Sequence, residues 1–229
     1  METVVNQTTE VPKTSKRHFD TMDESIAKMK QAFGNASLPE IFVVMVTVGY
    51  NAEKIDKLNA DLMQLETLYQ AQIKEYGDED AEQQKFTIKR AEVNKTFVQH
   101  RGLSRILFKD SAPARVALQL DVEIPKAYPA WIQLISNFYA QLSVNPVLQM
   151  QASAISLTLP VVSAQKQAIA DLQALKGSLL KETGEAQAAT DARDAAFDAL
   201  FEQYTDYIKY AKVLLPDNQL LEALGVTVK

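Results

Sequence analysis

Seven positions alternating four and three residues apart run unbroken from Phe86 through Arg90, Val93, Phe97, His100 and Ser104 to Leu107. Adding 107 to each number gives Arg193, Phe197, Leu200, Tyr204, Tyr207, Ala211 and Leu214. A mean spacing of about 3.5 residues keeps one face of a helix against a partner, so two copies argue for antiparallel bundle packing. The correspondence reaches further: Pro39 falls on Pro146, Leu65 on Leu172, Leu68 on Leu175 and Asp110 on Asp217. Gap-free register and shared periodicity, more than identities, carry the reading. It is an all-α chain made by tandem duplication of an antiparallel helical-bundle unit whose period is 107.

Composition agrees with helix. Glycine is scarce, with seven in 229 residues, and Ala, Leu, Gln, Glu and Lys dominate. The net charge is −5, with 16 basic and 17 acidic residues up to Leu120 and 8 and 12 after it. Neither half has the basic excess that phosphate neutralisation needs, so nucleic acid is not an expected partner. Cysteine is absent, which excludes disulfides, thiolate metal sites and a cysteine nucleophile. Met1 to Lys16 is polar and lacks a signal peptide's apolar core. The longest apolar run, Ile41 to Val48, is about half a membrane span. A soluble, unsecreted protein is expected, cytoplasmic or virion-associated.

Residues 1–17 read as a flexible tail, 18–120 as the first bundle unit, 121–126 as a linker and 127–229 as the second unit. Lys16-Arg17-His18 reads as a solvated charge group at a domain edge. In the first unit Met22, Ile26, Met29 and Phe33 form one stripe of a helix from about Asp20 to Phe33, ended by Gly34-Asn35. Its counterpart spans Ala127 to Leu142, with Trp131, Leu134, Ile135 and Phe138 as the stripe. The segments opening at Pro39 and Pro146 follow. Ile41–Val48 is β-branched, but no partner strand or hairpin turn lies nearby, so helix is expected there, broken at Gly49 and at Pro160.

Two amphipathic helices come next, on Ile55, Leu58, Leu62, Leu65, Tyr69 and Tyr76, with Gln72 in the remaining slot, and on Val162, Ile169, Leu172, Leu175 and Leu179. Each stops at an echoed sequence, Lys74-Glu75-Tyr76-Gly77 and Lys181-Glu182-Thr183-Gly184. The glycines are expected to close helical hairpins, with Asp78-Glu79-Asp80 or Glu185 in the next helix's first turn. Short last helices are expected over Ser111–Leu118 and Asp217–Leu224, the latter capped by Gly225.

No motif carries a mechanism: there is no phosphate-binding glycine loop, nucleophile elbow or histidine pair on one helix face. His18 and His100 lie in different elements, so no zinc site is expected. Asp78, Glu79, Asp80 and Glu82 lack the Glu-x-x-His pattern of di-metal bundles and read as a solvated turn. Tyr204, Tyr207 and Phe197 fall on the seam and read as packing, while Tyr210 and Phe201 lie off it, free to cover another helix or form a contact surface.

In the second half Asn145-Pro146 opens a helix pair and Ala192-Arg193-Asp194-Ala195-Ala196 begins the next helix; Tyr204, Asp217, Leu220, Leu221 and Gly225 follow. This pattern resembles the helical-hairpin modules that accompany fibronectin type III domains in bacterial surface and phage structural proteins. The first half departs from it, with Phe86-Thr87-Ile88 in place of Arg193-Asp194-Ala195. The resemblance implies a structural or attachment role and names no catalytic residue.

The expectation is a non-enzymatic structural or protein-interaction module without catalytic, cofactor-binding or metal-ligating residues, and without a cofactor. Its partner is another protein or a second copy of itself. The alternative is a membrane-active, pore-forming-like protein that uses the Ile41–Val48 run.

Overall fold

A computed structural model describes residues 20–227. The expected tail and the Lys16–His18 cluster lie outside the described residues. The element order is α1 (Met22–Asn35), α2 (Pro39–Met45), a 3₁₀ turn (Val46–Val48), α3 (Ala52–Leu107), α4 (Ala112–Ala117), α5 (Tyr128–Val144), α6 (Pro146–Ser153), α7 (Leu159–Leu214) and α8 (Asn218–Ala223). Among the described residues there is no strand. The protein is all-α.

Local chemistry accounts for the helix ends. Thr21 and Glu24 close a capping box on α1, and Ser111, Asn145 and Asp217 cap α4, α6 and α8 through side-chain oxygens. Pro39, Pro146 and Pro160 each sit in a first turn, where a missing N–H leaves no bond unmade. The Ile41–Val48 run is helix and 3₁₀ turn, closed by Gly49 at φ +90°. Its β-branched composition yields to packing, for Ile41 and Met45 are buried against other helices.

The hairpins expected at Gly77 and Gly184 do not exist. Both glycines lie inside 56-residue helices, α3 and α7. A lone glycine costs a helix about 1 kcal/mol and does not reverse a chain whose seam continues on both sides. It does continue. Leu62, Leu65, Tyr69, Gln72, Tyr76, Glu79, Gln83 and Phe86 keep the four-three alternation into Arg90 and beyond. Asp78 and Asp80 therefore lie within a helix rather than in a first turn.

The chain forms two compact units, residues 20–67 with 194–227, and residues 68–193. They are not the segments 18–120 and 127–229 expected from the sequence, because unreversed long helices leave the unit in which they begin. In the first unit Met29, Phe33, Ile41, Met45, Ile55, Leu58, Leu62 and Leu65 pack with Leu200, Tyr207, Ala211 and Leu224. In the second, Phe86, Val93, Phe97 and Leu118 pack with Trp131, Ile135, Phe138, Tyr139, Leu142, Val162, Ile169 and Leu172. Each core draws on both halves of the sequence. In the first, Phe33 of α1 meets Tyr204 and Tyr207 of α7 edge-on, and in the second, Phe138 and Tyr139 of α5 meet Phe97 of α3. Phe97 and Tyr204 hold corresponding places on the two seams.

Candidate functional site

In the second unit α3 and α7 run antiparallel, tied by polar side chains at seam positions. Arg193 donates to the Gln72 amide oxygen at 2.7 Å, Tyr76 and Thr190 share a hydrogen bond of 3.1 Å, and Thr183 donates to Glu79 at 2.8 Å. Polar residues at such positions fix register at some cost in stability. Here too the echoed Lys-Glu sequences face one another. Lys74, Glu75 and Asp78 from α3 and Lys181, Glu182 and Glu185 from α7 line a recess of ≈ 510 Å³.

The carboxylate oxygens of Glu75, Glu182 and Glu185 lie within 4.8 Å of one another, near enough to share a hard cation. Lysines already serve them. Lys74 reaches Glu75 at 3.2 Å and Asp78 at 2.8 Å, and Lys181 reaches Glu182 at 3.3 Å and Glu185 at 2.7 Å. The hydrogen bonds that Lys74 donates to Asp78 and Lys181 to Glu185 lead in raising the pKa of each lysine above its ordinary value. Sequence reasoning finds the echo but puts it at a turn. The signal that corrects it is the unbroken seam, which makes the two copies neighbours.

His100 is half-buried, and its Nδ1 lies 2.9 Å from the hydroxyl of buried Tyr139. Burial pushes its pKa below the usual histidine value. Its role in the described structure is packing and one hydrogen bond, as its seam position implies. Tyr207, at the corresponding place, is buried too. No protein-family model matches the chain, and neither does any curated protein or solved structure.

The first unit carries a largely apolar recess of ≈ 480 Å³ lined by Val48, Asp206, Lys209, Tyr210, Val213 and Leu214. Val213 is 83% exposed and Tyr210 47%. Tyr210 also meets Tyr50 edge-on, which joins it to the ring contacts around Tyr207. Phe201, the other aromatic residue off the seam, stacks on Phe197 at 5.5 Å and stays partly exposed.

Arginines of α3 and α4 converge on the connector to α5. Buried Arg101 donates to the carbonyls of Gln119, Leu120 and Val122, Arg105 to Leu120 at 2.7 Å, and Arg90 to Lys126 at 3.0 Å. Arg115 pairs with Asp121 and holds that carboxyl below its ordinary pKa. Burial, with Arg105 second, lowers the pKa of Arg101.

Proposed function

We propose that the protein is a non-enzymatic structural or protein-interaction module, built by tandem duplication of a unit that accounts for each half of the chain. Several features support the duplication. The two 56-residue helices begin at Ala52 and Leu159 and end at Leu107 and Leu214, an offset of 107 at both ends. Pro39 and Pro146 open the preceding short helices, and Ser111 and Asp217 cap the following ones. The likeness to helical-hairpin modules of bacterial surface and phage proteins belongs to the same proposal.

The observation that carries the interaction role is the exposed apolar recess at Val48, Tyr210, Val213 and Leu214. Exposed apolar side chains grouped about a hollow, with charged side chains among them, are what a docked partner covers. Replacing Val213 with a photo-crosslinking residue in the full chain should capture one discrete protein or a second copy. Tyr210→Asp should abolish that capture while leaving helix content unchanged. A crosslinking pattern indifferent to Tyr210→Asp contradicts the reading.

A membrane-active protein is the second reading, favoured by one observation. Among the described residues no single helix is long and apolar enough to cross a membrane, but α1 and Pro39–Val48, bent by 91°, reach that length and composition together. Against it, Met29, Phe33, Ile41 and Met45 are committed to the first core. Liposome flotation separates the two, since only membrane activity brings the protein up with lipid.

A further inference from the structure

The arginines on the connector have no counterparts in the other half. Adding 107 to Arg90, Arg101 and Arg105 gives Phe197, Ile208 and Lys212, and in the offset of 106 that sets Ser111 on Asp217 and Gln119 on Gly225, Asp121 falls on uncharged Thr227. Ile208 is buried where Arg101 would be, so that site accepts a plain apolar side chain. The guanidinium is therefore not a packing need. It lies beside the stretch that joins the two halves, and there it takes three carbonyls of the connector. Arg105 and Arg90 hold both ends of the same segment, and Asp121 is held by Arg115.

Each compact unit combines elements of both sequence halves. Any first half can in principle be completed by the second half of its own chain or by that of a second copy, a choice that hinge segments decide in domain-swapped proteins. Completion within the chain is favoured by effective concentration, in the millimolar range for short flexible connections and higher when the connection is fixed. We propose that Arg90, Arg101, Arg105 and Arg115 form a clamp on residues 119–126 that commits the second half to its own chain, and that the partner it excludes is a second copy of this protein in a reciprocally exchanged dimer. This rests on the reading of two equivalent halves.

The absence of cysteine supplies the test. Glu79→Cys with Thr183→Cys places two thiols where the long helices touch in the second unit. In the otherwise intact full chain, oxidation should close this pair within one chain, and light scattering should give a monomer. Failure of both oxidation and a short bismaleimide bridge to join the pair would sink the pairing of halves itself, not only the clamp. Arg101→Met with Arg105→Ala should raise the dimer association constant at least roughly tenfold after refolding at high concentration. In that dimer the thiols should close between chains. Leu58→Ala, a change in the core of the first unit, should leave the protein monomeric. Arg90→Ala with Arg115→Ala removes the two outer contacts while leaving buried Arg101 in place, and should shift the equilibrium toward the exchanged dimer even if the first arginine variant does not fold. The proposal is overturned if the intact chain is already an exchanged dimer, if the arginine variant folds and stays monomeric, if dimers crosslink only within chains, or if Leu58→Ala dimerises equally. An Arg90→Ala, Arg115→Ala variant that folds and shows no shift toward the dimer overturns it as well.

Discussion

Gly49 and Ser156, 107 residues apart in the chain, hold the same left-handed backbone, with φ of +90° and +66°. Each ends a short helix in the same double bond pattern. The Gly49 and Ser156 amides donate to Val46 and Ser153, and the next amides, Tyr50 and Leu157, reach back to Met45 and Ala152. Gln119 (φ +49°) and Gly225 (φ +78°) repeat the pattern after α4 and α8. The backbone demand is shared, but each pair meets it with one glycine and one residue that carries a β-carbon.

Ser156→Gly and Gln119→Gly should therefore stabilise the protein, by about 0.5–1 kcal/mol each. Gly49→Ala and Gly225→Ala should do the reverse, and unequally. A β-carbon at Gly49 meets nothing within 4 Å, whereas at Gly225 it lies 3.1 Å from the Gln31 side-chain oxygen. Gln31 cannot move freely, because its amide donates to the carbonyls of Glu222 and Ala223. Thermal melts of the four variants check the order; equal losses at Gly49 and Gly225 would contradict it.

Much of this architecture is written in spacing. The stripes on Met29 and Phe33, on Trp131, Ile135 and Phe138, and on Leu58, Leu62 and Leu65 are all buried, because helical periodicity reports a face directly. Breaks at Gly49 and before Pro160 are equally local and equally legible. Gly77 and Gly184 mislead, because a stop residue there outweighs the seam running through it. Composition changes in mid-helix, from apolar to Tyr76, Glu79, Thr183 and Thr190, and that change looks like a turn until the opposite helix supplies the hydrogen bonds. The Glu75–Glu182–Glu185 grouping is hidden for the same reason.

Gly77→Ala and Gly184→Ala test the uninterrupted helices. A β-carbon at either position meets nothing within 4 Å, and neither glycine has a positive φ. Alanine should add about 1 kcal/mol at each site through helix propensity. A hairpin would give the opposite sign, since alanine would be strained in a left-handed turn. Chemical denaturation of the two single variants and the double decides between them.

His100 should make stability depend on pH in one direction. Burial lowers its folded pKa, so the neutral ring is the folded form. The contribution is fully present above the unfolded value of about 6.5 and is lost as pH falls below it towards the folded pKa. His100→Tyr should keep the fold and flatten this slope, costing within about 1 kcal/mol at neutral pH because the site is half open to solvent. His100→Ala should cost more, about 2 kcal/mol, by leaving the Tyr139 hydroxyl without its partner. Denaturant midpoints at pH 5 and pH 8 are the measurement, and an unchanged slope in the tyrosine variant would refute it.

Tyr139 and Tyr207 are the two largest fully buried side chains among the described residues, yet their hydroxyls differ in kind. Tyr139 bonds to His100, whereas the Tyr207 hydroxyl has no hydrogen-bond partner among the described residues. Burial raises the pKa of both phenols, so both contribute stability that is complete below about pH 10 and is lost as the unfolded chain ionises above it. Removing the two hydroxyls should have opposite effects at neutral pH. Tyr139→Phe breaks a bond and should cost about 1 kcal/mol. Tyr207→Phe removes a desolvated group that gains nothing, keeps its edge-on contacts with Phe33 and Tyr50, and should be neutral or stabilising by up to about 1 kcal/mol. Either variant should also soften the alkaline loss. If Tyr207→Phe destabilises as much as Tyr139→Phe, its hydroxyl is bonded to a buried water, and the two cores are then more alike in their polar contacts than in their sequences.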